Sequence, residues 1–388
     1  MAVLANTDQF GTYHVGDRTF YSKLEATMYS SHSGQPIDWR YQHDAFQKYN
    51  WTQEPPQSLW DLYTERAYQL REKYDYIMLM YSGGADSNNV LDAFERNNIP
   101  IDEIRVGYAG ELSDFNSLQL EPNREIYYAA IPRARELQKK WPNLKITVVD
   151  MRPIMIEHVT KHADTLHFAN NMGWNPWMRV RFGISMNGKQ DWMPKISKDK
   201  QIAIVWGKDK TKVFKVNQRY AIQFVDVNLN GNVEVLPDNC NHEYFYWGSN
   251  AVNILIKQGH VLKKFFRQAD STPGWFEYNK KYFCQNTSPQ WLYHTVDIAG
   301  IPTYLNNACY NTLVYPYYDP TIYDVGKSEW RGASRIIQHT FYQNATLRKA
   351  LNEYFKQTMS WHQGYMKYDK NGAINAIEYV DRPWFLEA

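Results

Sequence analysis

Cysteine is scarce in this chain. Cys240, Cys284 and Cys309 are the only three among 388 residues, and they are widely spaced. No Cys-X-X-Cys pair occurs, so neither a zinc knuckle nor a disulfide scaffold is indicated, and a reducing compartment fits best. Long apolar runs are missing too. No stretch approaches the roughly 18 residues of a membrane-spanning helix, so no membrane partner is expected. Met1-Ala2-Val3-Leu4 lacks the basic start and apolar core of a secretory leader. The expected location is therefore the cytoplasm. Charge of one sign is not in excess either: net charge is only +2. That removes any global electrostatic argument for nucleic acid, although a local basic face stays open. No internal repeat or low-complexity tract is evident.

What is present is an ordinary globular composition, 44% hydrophobic and 22% charged, long enough for two or three domains. Aromatic side chains make up 16%, led by tyrosine. Such rings suit amphipathic pockets but also simply fill cores.

The stretch with most chemical content is Tyr81-Ser82-Gly83-Gly84-Ala85-Asp86-Ser87. Before it, Asp75 to Met80 is a short, mostly apolar run that reads as a buried strand. After it, Ser87, Val90, Leu91 and Phe94 fall at i, i+3, i+4 and i+7, the inward face of a helix. The loop thus joins a strand to a helix N-terminus. Adjacent glycines let the backbone take positive φ and approach a ligand. Exposed N–H groups and the helix dipole favour an anion there. Ser82 and Ser87 would add hydroxyl donors. Asp86 would repel phosphate unless a cation such as Mg²⁺ lies between them.

The surrounding pattern is βα alternation. Strands are expected at Ile101 to Tyr108, Leu144 to Val149 and Ile202 to Trp206. A long helix is expected over Pro122 to Trp141, kinked by Pro132. That order implies an α/β fold, a parallel sheet with helices on both faces. Ligands on such sheets bind at the carboxyl ends of the strands. The 82–87 loop, Gly107-Tyr108 and Asp150-Met151-Arg152 then share one rim. Gly207-Lys208-Asp209-Lys210 follows a later strand and joins them. There a carboxylate between two lysines can hold a metal while the lysines contact phosphate, or the run is simply a solvated turn. Between these loops lie Trp174, Trp177, Arg179 and Arg181. They form either a platform for a planar or anionic substrate near the rim, or core packing.

Flanking this α/β core, residues 1–72 read as a hairpin around Gly16-Asp17 and a helical brace capped by Ser58. Residues 73–235 form the core unit. Residues 236–388 read as a mainly helical substrate region, with helices near Asn250 to Gln268, Ala333 to Phe341 and Thr346 to His362. Asn239-Cys240-Asn241-His242 reads as a polar loop. Cys240 as nucleophile or His242 as base is the less favoured reading of it.

The loop is not a Walker loop, because no Gly-Lys-Ser/Thr follows its glycines. It resembles the SGGxDS signature of the PP-loop superfamily, the N-type ATP pyrophosphatases, shared by asparagine, GMP and NAD synthetases and several tRNA-modifying enzymes. The resemblance covers residues 74–210 most firmly. The order of hairpin, brace, loop and the helix after Phe245-Tyr246-Trp247 also looks like uncharacterised asparagine-synthetase-like proteins of tailed bacteriophages, which would place the chain in a host cytoplasm. The resemblance implies an adenine nucleotide alpha-hydrolase-like fold, with ATP and Mg²⁺ as ligands. It implies adenylylation of a substrate oxygen with release of pyrophosphate, then displacement of AMP by an amine or ammonia. By that resemblance, Ser82, Gly83, Gly84, Ala85, Asp86 and Ser87, with Gly107 and Tyr108 on the rim, bind the nucleotide. Asp86, Lys208 and Lys210 are the catalytic candidates, and Asp86 and Asp209 the metal ligands. Residue 2 is Ala, so the N-terminal cysteine of the glutamine-hydrolysing synthetases is missing. The Gly-Glu-Gly loop of asparagine synthetases is also absent after the later strand. The acceptor is a small molecule, a nucleotide or a nucleic-acid base, and self-association is left open. A non-catalytic nucleotide-binding module and a sulfur-transfer or reductase relative are the alternatives.

Overall fold

A computed structural model of the protein describes residues 11–21, 23–108, 125–150, 199–208, 210–216, 218–224, 226, 238–271, 307–319, 366–368, 374–376, 379 and 381–388. The expected hairpin is present. Strands β1 (Thr12–Val15) and β2 (Arg18–Phe20) turn at Gly16, whose φ of +60° suits glycine. Helix α1 (Lys23–Ser33) follows, and β3 (Ile37–Arg40) adds an unanticipated strand to the other side of β1. A single turn, α2 (His43–Phe46), precedes the brace helix α3 (Leu59–Lys73). Ser58 caps α3 as its sequence position implied. Its hydroxyl accepts from the Asp61 amide at 3.1 Å, and the Asp61 carboxylate accepts from the Ser58 amide at 3.1 Å. Leu59, Leu62 and Tyr63 all point into the core.

The chain then builds β4 (Tyr76–Met80), α4 (Ala85–Glu95), β5 (Glu103–Tyr108), α5 (Ile131–Lys140), β6 (Lys145–Asp150) and β7 (Ile202–Trp206). A hairpin, β8 (Val213–Val216) and β9 (Arg219–Ile222), leads to β10 (Cys240–Tyr244). Strands β10, β7, β4, β5 and β6, in that spatial order, form one sheet in which every pairing is parallel. The α/β expectation is met at that level. Residues of β7 are buried along its whole length, as a strand covered on both faces requires. Growth runs outward from β4 to β6, then reverses, and β7 is laid on the other side of β4. The crevice between the carboxyl ends of β4 and β7 is therefore the switch point of the sheet, where ligands of open α/β sheets bind.

Pro132 stands at a change of helix type, not in the middle of one uniform α-helix. A π-helical turn, Ile126–Ala130, precedes α5, and Pro132 sits in the first turn of α5. The proline ring would crowd the carbonyl four residues back, and its nitrogen carries no proton. The wider turn absorbs both problems.

The polar run at 239–242 is corrected by the structure: it enters edge strand β10, not a loop. Cys240 and His242 are buried while Asn241 is exposed, an alternation hidden by the polar letters. The fifth strand of the sheet thus comes from beyond residue 235. Glu243 tolerates burial there because Arg66 (2.7 Å) and Lys73 (2.9 Å) of α3 pair with it, and the Tyr74 hydroxyl donates to it. Burial alone would raise its carboxyl, but these partners outweigh burial and hold it below its ordinary 4.5.

Beyond β10, helix α6 (Val252–Ser271) buries Val252, Leu255, Ile256, Leu262 and Phe266 as its spacing implied. Helix α7 (Asn307–Val314) follows. Strands β11 (Met366–Tyr368) and β12 (Ile374–Ala376) pair as a hairpin, and β13 (Trp384–Phe385) pairs with β9. Buried Asp381 ties this C-terminal end to the N-terminal part through His43. The helices expected at 333–341 and 346–362 lie outside the described residues. Among the described residues, no helix is long and apolar enough to cross a membrane.

The buried Glu243 cluster generates a prediction. Glu243→Gln leaves Arg66 buried without its counter-charge and costs about 3 kcal/mol at neutral pH. A depressed folded pKa contributes stability above the ordinary 4.5 and loses it as pH falls through the lower folded value. Urea denaturation should therefore show the gap between variant and wild type narrowing towards pH 3. A gap of the same size at both pH values contradicts this.

Candidate functional site

The 81–87 loop leaves the carboxyl end of β4 and opens α4. Its start is pinned where the Tyr81 amide donates to the Arg105 carbonyl of β5 at 2.8 Å. Its turn is held by Asn88, whose side-chain amide donates to the carbonyls of Gly83 (2.6 Å) and Gly84 (3.1 Å). Tyr81 in turn donates to Asn88. Asn88 was not singled out in the sequence. The available signal was an amide side chain buried in the first turn of a helix, where apolar residues are usual.

The two glycines serve different ends. Gly83 has φ +78°, and a Cβ there would lie 2.8 Å from the Ala130 nitrogen in the π turn. Gly84 is the N-cap of α4, in extended conformation. A Cβ on it would meet only ordinary contacts, Ser82 Oγ at 3.4 Å and Glu125 Oε1 at 3.6 Å. No side chain caps α4. Its first-turn amides, those of Ala85, Asp86 and Ser87, have no intrahelical acceptor and stand at the positive end of the dipole. Ser82 and Ser87 were expected to donate outward. In the structure their hydroxyls brace the turn, 3.1 Å from each other, with Ser87 Oγ donating to the Gly84 carbonyl at 3.1 Å.

Asp86 projects from the first turn of α4, and its side chain is 35% exposed. Three elements converge on it. Lys210, after β7, is buried and lies with Nζ 3.4 Å from Oδ1. The Tyr315 hydroxyl, just past α7, donates to the same oxygen. The Tyr246 hydroxyl, after β10, donates to the Asp86 backbone carbonyl at 2.8 Å and accepts from Asn89 at 2.9 Å. Burial, then the neighbouring Asp86 charge, raises the Tyr315 hydroxyl well above its ordinary 10, so it stays a neutral donor. Oδ2 of Asp86 accepts no hydrogen bond among the described residues.

Gly207 lets the β7 loop come this close. A Cβ there would lie 2.9 Å from both the Asp86 carbonyl oxygen and the Ser87 Cα. The same loop sends Lys208 the other way. Its ammonium lies over the rings of Tyr244 (5.3 Å) and Trp206 (5.9 Å), towards β10. Lys208 and Lys210 are therefore not equivalent, and only Lys210 meets Asp86. Gly107 pairs with Val149 at the carboxyl end of β5, on the same rim. Asp209, Trp174, Trp177, Arg179, Arg181 and the Tyr108 side chain lie outside the described residues. Glu125, buried beside Gly84, is a carboxylate at the rim that the sequence reading did not single out.

His242 is a core histidine. Burial, aided by Lys208, pushes it down to about 3, and its Nδ1 accepts from Trp206 Nε1 at 2.9 Å. Cys240 is buried in the same strand.

Among the described residues, no group of three or more His, Cys, Asp or Glu side chains is arranged to hold a metal. That donor set still fits Mg²⁺ carried by a polyphosphate, because Mg²⁺ commonly takes one or two carboxylates, with phosphates and water completing its octahedron. No family model matches the chain, and no curated protein matches it.

The contrast between the glycines is testable by thermal and urea denaturation. Gly83→Ala meets both a left-handed φ and the Ala130 backbone and should cost about 3 kcal/mol. Gly84→Ala should cost at most about 1 kcal/mol, the preference of an N-cap for glycine over alanine. Equal losses would contradict the geometry.

Proposed function

We propose that this rim is an ATP site of the PP-loop, N-type ATP pyrophosphatase kind, in an adenine nucleotide alpha-hydrolase-like fold. On this reading the chain is an AMP-forming ligase. The observation that carries the proposal is the uncapped N-terminus of α4, set at the switch point with a glycine at its N-cap and a lysine and a carboxylate beside it. With β4 counted first, the sheet order is 3-2-1-4-5, a doubly wound order that puts ligands at this crevice.

Backbone amides at 85–87 hold the β,γ-pyrophosphate, and Lys210 adds positive charge to it. Asp86, through Oδ2, would hold Mg²⁺, which when bound neutralises charge building on the phosphates. A substrate oxygen attacks the α-phosphorus. The new O–P bond forms as the bond to the bridging oxygen breaks, and that electron pair leaves on pyrophosphate. An amine or ammonia then attacks the activated carbon, and AMP leaves with the C–O pair. Lys208, whose ammonium lies over the Tyr244 and Trp206 rings, stays the second catalytic candidate on this reading. By their places in the sequence, we assign Asp209, Gly107 and Tyr108 to nucleotide and metal binding and Trp174, Trp177, Arg179 and Arg181 to substrate binding. The helices after β10 supply the acceptor side. A small molecule, nucleotide or nucleic-acid base is the acceptor class.

One observation favours a second reading, a nucleotide-binding module without turnover. Asp86 already has a cation and a hydroxyl on one oxygen, and such a neutralised carboxylate binds metal less readily. Product analysis separates the two. With α- and γ-labelled ATP, the proposed enzyme yields AMP and pyrophosphate, and Asp86→Ala lowers turnover roughly a hundredfold or more. ADP as main product, or unchanged turnover in the variant, overturns the ligase reading. Tight ATP binding with no products in any acceptor screen supports the module.

A further inference from the structure

We infer that Tyr315 is a positioning residue that aims the Asp86 carboxylate, making assembly of the site depend on segment 307–319. The inference rests on the ATP reading above and adds to it a residue that neither the loop nor its neighbours in sequence contain.

A carboxylate on an exposed first turn samples several rotamers, and only some present an oxygen to a metal on the adjacent phosphates. Here Oδ1 of Asp86 is fixed from two directions, by Lys210 from the β7 loop and by Tyr315 from beyond α7. The remaining oxygen accepts nothing among the described residues. A carboxylate held by one oxygen presents the other in a set direction, as outer-shell partners of metal ligands do.

Tyr315 is itself held firmly enough to aim something. Its amide donates to the Asn311 carbonyl at 2.8 Å, closing the end of α7. Its ring lies 5.7 Å from that of Tyr246, and the Lys210 ammonium lies 5.9 Å from its centroid. The preceding residue is fixed by the core: Tyr63 of α3 donates to the Val314 carbonyl at 2.7 Å and accepts from Gln258 of α6 at 2.8 Å. Gln258 in turn accepts from the Thr211 amide, next to Lys210, at 3.0 Å. Both partners of Oδ1 are thus anchored to one buried network. Tyr315 is buried and neutral, so its hydroxyl can only donate to a carboxylate.

The opposite outcome is physically possible. If the hydroxyl competed with the metal, removing it would tighten metal binding. Binding rather than turnover decides this, using the full-length chain. Mn²⁺ affinity in the presence of α,β-methylene ATP, read by electron paramagnetic resonance, is compared for wild type, Tyr315→Phe and Tyr76→Phe. Positioning predicts Mn²⁺ binding weakened roughly tenfold in Tyr315→Phe, the usual effect of losing a hydrogen bond to a charged group. Metal-free nucleotide affinity should change little. Tyr76→Phe, which removes a hydroxyl donating to buried Glu103 at 2.8 Å at the amino end of β4, away from this network, should lower thermal stability and leave Mn²⁺ affinity as in wild type. Unchanged or tighter Mn²⁺ binding in Tyr315→Phe overturns the positioning role while leaving the ATP reading intact. Equal weakening in both variants assigns the effect to general loosening and also overturns it. No nucleotide binding by wild type overturns the ATP reading, and this role with it.

Discussion

The site depends on one close approach. Gly207, leaving β7, packs against the backbone of Asp86 and Ser87 at a distance that leaves no space for a Cβ. That contact joins the two sides of the switch point. It brings Lys210 to the carboxylate of α4 and fixes how far apart the carboxyl ends of β4 and β7 stand. A side chain at 207 would push the β7 loop outward and separate the charges. Strand order supplies the crevice, but this backbone contact sets its width.

Around that contact, buried tyrosines do work that charged residues would do poorly. Tyr63, Tyr246 and Tyr315 each bring a ring that fills the core and a hydroxyl that satisfies a specific acceptor. Burial raises all three well above the ordinary value for a phenol, so they remain neutral donors. A lysine at such positions would add a charge to desolvate. The high tyrosine content, which by itself pointed only to cores or pockets, has here a local use: it wires α3, α4, α6 and the turn after α7 to one carboxylate.

Much of the core was legible because its signals are local. Continuous apolar runs marked β4 and β7, Ser58 before Leu59, Leu62 and Tyr63 marked the start of α3, and adjacent glycines before a helical stripe marked the α4 loop. What escaped was set by distant partners. Strand β10 looked like a polar loop because Glu243 and His242 are tolerated only through Arg66, Lys73 and Trp206, and these partners lie far away in sequence. The unequal roles of Lys208 and Lys210 depend on which side of β7 each faces, and the run of letters does not give this. Tyr315 lies 229 residues from Asp86 and inside a breaker-rich segment that carried no motif. The contact between the Ser82 and Ser87 hydroxyls was not legible because the sequence does not show how tightly the turn closes on itself.

The central claim is that the first turn of α4 holds a pyrophosphate group. A crystal structure with α,β-methylene ATP and Mg²⁺ measures this most directly. The account predicts β- and γ-phosphate oxygens within hydrogen-bonding distance of the amides at 85–87, with the metal between them and Asp86 Oδ2. A nucleotide bound elsewhere, or one whose base rather than whose phosphates meets the α4 N-terminus, would contradict it.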